Sequence, residues 1–251
     1  FPTGYTEDLM EQFSARYEVM KHKWPDCKAI VYFQAYTNTY APLKTLKKIY
    51  EPFLSVKDVV AISIATRADC LSDEVIGYLD WLGTKTDIWV ELGVQSVHEK
   101  TAVLTNRGHS HEETVRVIEK LKNTSVHVCV HVINGFPWET REMMTETVRQ
   151  LAKLPVDAMK IHMLHILKDS AMGRQYEKEP FALLTREEYV SLVVDQLELL
   201  PETMILQRLT GDGMADDLLA PMWTKKKTIV LNEIDKEMVR RNTVQGRRYE
   251  P

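Results

Sequence analysis

Residues 126–133 read VHVCVHVI. Successive side chains of an extended strand point to opposite faces, so Val126, Val128, Val130 and Val132 share one face and His127, Cys129 and His131 the other. Residues 88–95, IWVELGVQ, repeat the pattern: Val90, Leu92 and Val94 oppose Trp89, Glu91, Gly93 and Gln95. Further strand-like stretches lie at 29–34 (AIVYFQ), 59–65 (VVAISIA), 157–164 (DAMKIHML) and 204–210 (MILQRLT). Between them, 3.6-residue periodicity predicts helices near 43–54, 72–83, 97–105, 110–122, 139–153 and 185–199, and one over 6–23 precedes the first strand. SDEV at 72 and TREE at 185 are helix N-cap signals. Such alternation predicts parallel βα units. The strands are too few for a standard eight-stranded barrel, so an open or partial barrel is expected in preference to a doubly wound sheet.

Helices clothe the outside of a βα barrel, so the valine faces are expected to point outward and the polar faces into the lumen. That lumen would carry Glu91, Gln95, His127, His131 and one or both of Lys160 and His162. Barrel enzymes build their sites at the C-terminal ends of the strands, where Gln34, Thr66, Gln95, Asn134, His165 and Thr210 fall. At the first of these ends, residues 29–42 read AIVYFQAYTNTYAP. The chain leaves an apolar strand directly into hydroxyls, amides and tyrosines, more than a simple turn needs, which suggests a polar ligand.

The chain has 251 residues, 44% hydrophobic and 27% charged, as in an ordinary globular α/β domain. Its net charge of −4 excludes nucleic-acid binding by bulk charge and leaves only a local patch for that role. No apolar run is long enough to span a bilayer. Cys27, Cys70 and Cys129 are scattered and odd in number, which argues against a disulfide framework or zinc site and for a reducing, cytoplasmic setting. The opening FPTGYTEDLMEQF lacks an initiator Met and enters a helical pattern at once, so an N-terminal piece is expected to be missing.

Four strand-end phrases, YFQAYTNTYAPL, ATRADCL, VELGVQSVHEKT with TNRGHS, and HVINGFPWETREMM, together resemble the radical S-adenosylmethionine (SAM) enzymes. The similarity is to the branch of the Elongator catalytic subunit, and within it to the small bacterial family without an acetyltransferase domain. KIHMLHILKDS and QRLTGDG extend it over nearly the whole chain. The resemblance implies an α/β partial (βα)6 barrel of the radical SAM type over residues 1–213, with 214–251 a C-terminal extension packing on it. It also implies a [4Fe–4S] cluster held by a CxxxCxxC loop after the first barrel strand. No such loop is present here, so the first strand visible is matched to the family's second and the loop is expected upstream of Phe1.

By that resemblance, SAM would be bound by Gln34, Tyr36, Thr37 and Asn38 at the GGE-like position, although this sequence departs from Gly-Gly-Glu. Thr66 and Arg67, with Asp69, stand where the branch reads TRPD, and Ala65 replaces an acidic ribose ligand. Glu91 and Gln95 belong to ELGVQS, and Gln95 is expected near the methionine part of SAM. Arg107 matches an arginine that pairs with the SAM carboxylate in coproporphyrinogen-oxidase-like relatives. His131, Asn134 and Gly135 fall in the adenine-supporting motif, His131 in place of a ribose-binding Asp, with Glu139 and Thr140 beginning the next helix. Lys160, His162, His165, Lys168, Arg208 and Asp212 are substrate candidates; no catalytic residue is assigned. The implied activity is modification of the C5 substituent of tRNA wobble uridine, 5-carboxymethylaminomethyl to 5-aminomethyl, with tRNA and an electron-donating reductase as partners. The runs Lys225–Lys227, Arg240–Arg241 and Arg247–Arg248 read as solvated faces or RNA contacts. A cluster-free barrel that binds SAM or RNA without radical chemistry is the alternative.

Overall fold

The computed structural model describes residues 8–211 and 216–251. Its contacts divide the chain into two compact units, one running to Leu92 and including Lys120–Val128, the other made of Gly93–Glu119 and Cys129–Pro251.

In the first unit, α1 (Leu9–Lys23) leads to β1 (Ala29–Phe33), α2 (Leu43–Tyr50), β2 (Val59–Thr66), α3 (Asp73–Gly83) and β3 (Asp87–Gln95), the last reaching into the second unit. Asp8 caps α1 by accepting from the amides of Met10 and Glu11. The Ser72 side chain caps α3 by accepting from the Val75 amide, satisfying one of the donors a helix start leaves open. Beyond that cap, Val75, Ile76, Leu79 and Leu82 recur at helical spacing and are buried.

The chain continues through α4 (Glu99–Leu104), α5 (His111–Leu121), β4 (His127–Asn134), α6 (Arg141–Leu151), β5 (Ala158–Met163), β6 (Ile166–Leu167), α7 (Ala171–Lys178), α8 (Arg186–Leu199), β7 (Ile205–Arg208), β8 (Leu218–Ala220) and α9 (Lys227–Arg241), all in the second unit except the end of α5 and the first two residues of β4. A capping box starts α8: Thr185 and Glu188 satisfy each other's backbone amides. Six strands form one sheet in the order β1-β2-β3-β4-β5-β7, and the β1–β2, β2–β3, β4–β5 and β5–β7 pairings are parallel. β6 and β8 pair antiparallel in a separate ribbon.

The alternation read from the sequence sets the burial. Val128, Val130 and Val132 of β4 are at most 1% exposed, while His127 and His131 are half-buried. Removing each valine from water stabilises the fold by about 1.5–3 kcal/mol. Cys129 departs from the expectation of a polar face, being fully buried. The expected helices form, but 43–54 ends as an α-helix at Tyr50 and continues as a 3₁₀ turn over Glu51–Ser55. Glu139 lies outside α6, whose cap is Thr140. The expected strand 204–210 is the four-residue β7.

Two helices were not anticipated. α7 is short and contains Gly173, whose added Cβ would stand 1.9 Å from the Leu167 carbonyl oxygen, so the helix lies directly on the backbone of β6. α9 buries only Val230 and Ile234, one helical turn apart, beneath a charged surface. It is tied to α8 by Arg241, which donates to Asp195 at 2.6 Å and to the Ser191 hydroxyl at 2.7 Å. Asp195 also accepts from the Arg141 Nε at 3.0 Å, so one carboxylate joins α6, α8 and α9.

Candidate functional site

The strand-end residues of the first unit form a hydrogen-bonded rim. Asn38 donates its side-chain amide to the carbonyls of Phe33 and Ala65, both at 2.9 Å, fastening the ends of β1 and β2 together. The Thr39 hydroxyl bonds the Thr66 hydroxyl at 2.5 Å and donates to the Cys70 carbonyl at 2.7 Å. Arg67 grips Asp69 with a bidentate pair, Nε to Oδ1 at 2.9 Å and Nη2 to Oδ2 at 2.6 Å. Below the rim, Glu91 is 3% exposed and accepts from the hydroxyls of Tyr32 at 2.7 Å and Ser63 at 2.5 Å. A buried carboxylate needs such partners. Gln34 and Tyr36 stay exposed, Tyr36 at 94%, and Thr37 is half-buried.

In the second unit, Arg107 is aimed at the turn that carries Gln95. Its guanidinium donates to the carbonyls of Val94 and Ser96 (the latter at 2.8 Å), to the Thr114 hydroxyl at 2.8 Å and to His109 Nε2 at 3.2 Å. The fork of Arg107 is thus directed at the backbone carbonyls of that turn. Asn134, 2% exposed, exchanges amide hydrogen bonds with Gln196 of α8 at 2.8 and 2.9 Å. It therefore orders the end of β4 and does not present its side chain outward. Gly135 follows at φ 106° and donates its amide to the Met144 sulfur.

A polar knot that the sequence did not signal lies beside this turn. Glu139 Oε1 accepts from the hydroxyls of Ser96 and Thr101, both at 2.5 Å, and the Trp138 indole donates to Thr101 at 3.0 Å. The only hint in the sequence was Glu139 itself, read there as beginning the next helix.

The substrate candidates divide. His131, Lys160 and Arg208 share one cross-strand row, because His131 pairs with Lys160 and Lys160 with Arg208 across β4, β5 and β7. His162 lies two residues along β5 on the same face, its ring centroid 5.3 Å from that of His131. Burial, reinforced by the charges of His131, Arg208, Lys160 and His165, pushes the His162 imidazole down to about 3. Its Nε2 is buried without a hydrogen-bond partner. His165 lies over Gly211, where an added Cβ would stand 2.4 Å from the His165 Cε1. Lys168 is separate: it is exposed and donates to the Asp216 carbonyl at 2.9 Å. Asp212 lies outside the described residues.

Five of the positive-φ residues mark the same places: Tyr36 (62°), Gln95 (63°), Asn106 (51°), Gly108 (84°) and Gly135 (106°) fall in the strand-end and TNRGH segments, whereas Asn242 (49°) and Gly246 (82°) lie after α9. Holding a non-glycine residue there costs on the order of 1 kcal/mol or more, and such strain concentrates at ligand sites.

A family model described as the radical SAM superfamily matches residues 2–151, and one for the radical SAM C-terminal domain matches 156–240. The chain belongs to the radical SAM superfamily. It is 47% identical over 250 residues to the uncharacterized protein YtqA of Bacillus subtilis (strain 168), covering all of this chain and 78% of that one. It is 27% identical to the tRNA uridine(34) acetyltransferase of Methanocaldococcus infernus over 156 residues, 61% of this chain and 29% of that protein. Among solved structures, an N-terminally deleted archaeal Methanocaldococcus infernus Elp3 superposes with a TM-score of 0.78 at 19% identity, over 94% of this chain and 59% of that one. The chain thus spans well under two thirds of that structure. The fold is α/β, the partial barrel of radical SAM proteins, as expected.

Radical SAM family membership implies SAM and an iron–sulfur cluster. The strained, polar strand ends suit a ligand as polar as SAM. The cysteines do not suit a cluster: Cys27, Cys70 and Cys129 form no disulfide, and among the described residues no group of three His, Cys, Asp or Glu is placed to hold a metal ion. A cluster takes closely spaced thiolates, which these three cysteines do not provide. Among the described residues no helix is long and apolar enough to cross a membrane.

Proposed function

We propose that the protein is a radical SAM enzyme that modifies the C5 substituent of tRNA wobble uridine, taking 5-carboxymethylaminomethyl to 5-aminomethyl. The observation that carries the SAM site is the coincidence of left-handed backbone at Tyr36, Gln95 and Gly135 with the positions assigned to SAM by motif. The tRNA assignment is supported by the similarity to a tRNA uridine(34) acetyltransferase. When bound and given one electron by the reductase, SAM would release methionine and supply a 5′-deoxyadenosyl radical able to take a hydrogen atom from the substrate. The chain's own residues hold and orient it. Gln34, Tyr36 and Thr37 face the ligand, while Asn38, Thr66 and Arg67 set the rim through the bonds they make. Glu91 fixes Tyr32 and Ser63 beneath it. Gln95 contacts the methionine end, and Arg107 acts through the Val94–Ser96 turn as a positioning residue. Asn134 and Gly135 shape the adenine side, with His131 toward the ribose. Lys160, His162, His165 and Arg208 serve the substrate. Lys168 and Asp212 remain substrate candidates, Asp212 outside the described residues, and residues 214–251 are assigned to an extension of the barrel.

Lys225, Lys226 and Lys227 are exposed and provide the RNA contact. A cavity of about 490 Å³ lined by Arg149, Lys153, Arg247, Arg248 and Glu250 is a second, partly neutralised basic surface, since Arg149 pairs with Glu146 and Arg248 with Glu198. The site works in the cytoplasm with an electron-donating reductase.

Full-length protein, reconstituted anaerobically with reductant, is expected to form 5′-deoxyadenosine faster when tRNA is added. Changing Lys225, Lys226 and Lys227 to Gln should weaken tRNA binding and flatten its salt dependence by about 2–3 in log–log slope, leaving SAM binding intact. An unchanged wobble-uridine profile in nucleoside mass spectrometry of a deletion strain would remove the tRNA assignment. The alternative, a non-radical SAM- or RNA-binding barrel, is favoured by the scattered cysteines. Iron and sulfide content of the full-length protein separates the two.

A further inference from the structure

The sheet pairs His131 of β4 with Lys160 of β5, and Lys160, at a register shift that follows Met159, with Arg208 of β7. Adjacent strands lie about 4.8 Å apart, so the row spans roughly 10 Å. His162, one pleat further along β5, adds a fourth group on the same face, and His165 follows beyond the strand. Side chains that carry or can carry positive charge therefore share one face of the sheet, and Lys160 among them is only 6% exposed. The groups acting most strongly on His162 are His131, Arg208, Lys160 and His165, all of one sign when charged. The buried, unpartnered Nε2 of His162 is left for a ligand.

We propose that Lys160 and Arg208, closed by His162, form an oxyanion site that anchors the acidic group of the substrate, with His131 beside Lys160 on the ribose side. This rests on the functional reading above, in which the substrate's C5 substituent ends in a carboxylate. The ligand chemistry is a carboxylate or phosphate oxyanion. Lys160 offers a point charge, Arg208 a planar fork suited to two oxygens, and the neutral His162 an N–H donor. The group removed and the group recognised are then the same end of the substituent, and a wobble uridine that has already lost it binds more weakly.

The test uses the full-length protein and the ring Cε1–H resonances of His131 and His162 in a proton–carbon correlation spectrum. Sodium acetate and inorganic phosphate are titrated against sodium chloride of matched ionic strength. A saturable shift of both resonances is expected, with affinity at least 10-fold lower in Lys160→Met and in Arg208→Met and kept in Lys160→Arg; circular dichroism verifies that each variant is folded. Saturation by acetate assigns the site to the substituent's carboxylate, and saturation by phosphate alone assigns it to a backbone phosphate; either supports an oxyanion site. No saturable shift with either anion, or equal affinity in the Met variants, overturns the proposal. So does displacement of acetate by methionine, because the row would then hold the cofactor's own carboxylate. 5′-Deoxyadenosine formation in the same preparations distinguishes the two readings. Its formation without anion binding overturns the oxyanion site alone, and anion binding without it overturns the enzyme reading alone.

Discussion

Arg107→Ala is expected to lower folding stability by about 3–5 kcal/mol, read as a fall in the urea midpoint with unchanged slope. The side chain donates to two carbonyls, a hydroxyl and an imidazole. Each charge-assisted bond of this kind contributes about 1.5–3 kcal/mol when its partner would otherwise be left unmet, and the four are not additive. Arg107→Lys should recover only part, because a single ammonium cannot span the Val94 and Ser96 carbonyls and also reach Thr114. SAM affinity should fall in parallel with loss of the Gln95 turn. An Arg107→Ala protein of native stability with weakened SAM binding would instead make the arginine a direct ligand.

The second large effect is in proton affinity. His162 is expected to stay neutral as the pH falls through 6.5, with its ring resonance unmoved until near 3. The sign follows from linkage. In the unfolded chain the imidazole binds its proton below about 6.5, whereas the folded protein refuses it down to about 3. Between these values the unfolded state holds more protons, so His162 makes the fold less stable as the pH drops across that window. Burial is the leading cause, and His131, Arg208, Lys160 and His165 are the charged groups that add to it. His162→Gln should flatten the stability profile between pH 6.5 and 5. A ring that titrates at its ordinary value would show that the cluster is solvated.

The alternation in VHVCVHVI marked the buried valine face of β4 because period-2 patterning is a local property, visible wherever one face is buried. The strand and helix positions followed from the same kind of signal. α9 did not, since a helix that buries only Val230 and Ile234 leaves almost no hydrophobic periodicity to read. The roles of the site residues were less legible still. Asn134 meets Gln196 across 62 positions, and Ser96 meets Glu139 across 43. Motif position marked Asn134 and Arg107 as important, but which groups they face depends on those long-range partners. The row His131–Lys160–Arg208 likewise exists only through strand register.

The way α9 is fastened has a consequence for its motions. With two buried apolar side chains, it is held to the rest of its unit mainly by Arg241 on Asp195 and by Arg186 on Glu233 at 2.8 Å. Ion pairs at 20–32% side-chain exposure weaken as salt screens them, whereas the apolar packing of α8 does not. Segments with little buried surface open on their own, below the free energy of global unfolding. Native-state amide exchange in α9 should therefore quicken several-fold between about 0.05 and 0.5 M salt while α8 keeps its protection. Ionic strength, rather than temperature, is the variable that loosens this end of the molecule first.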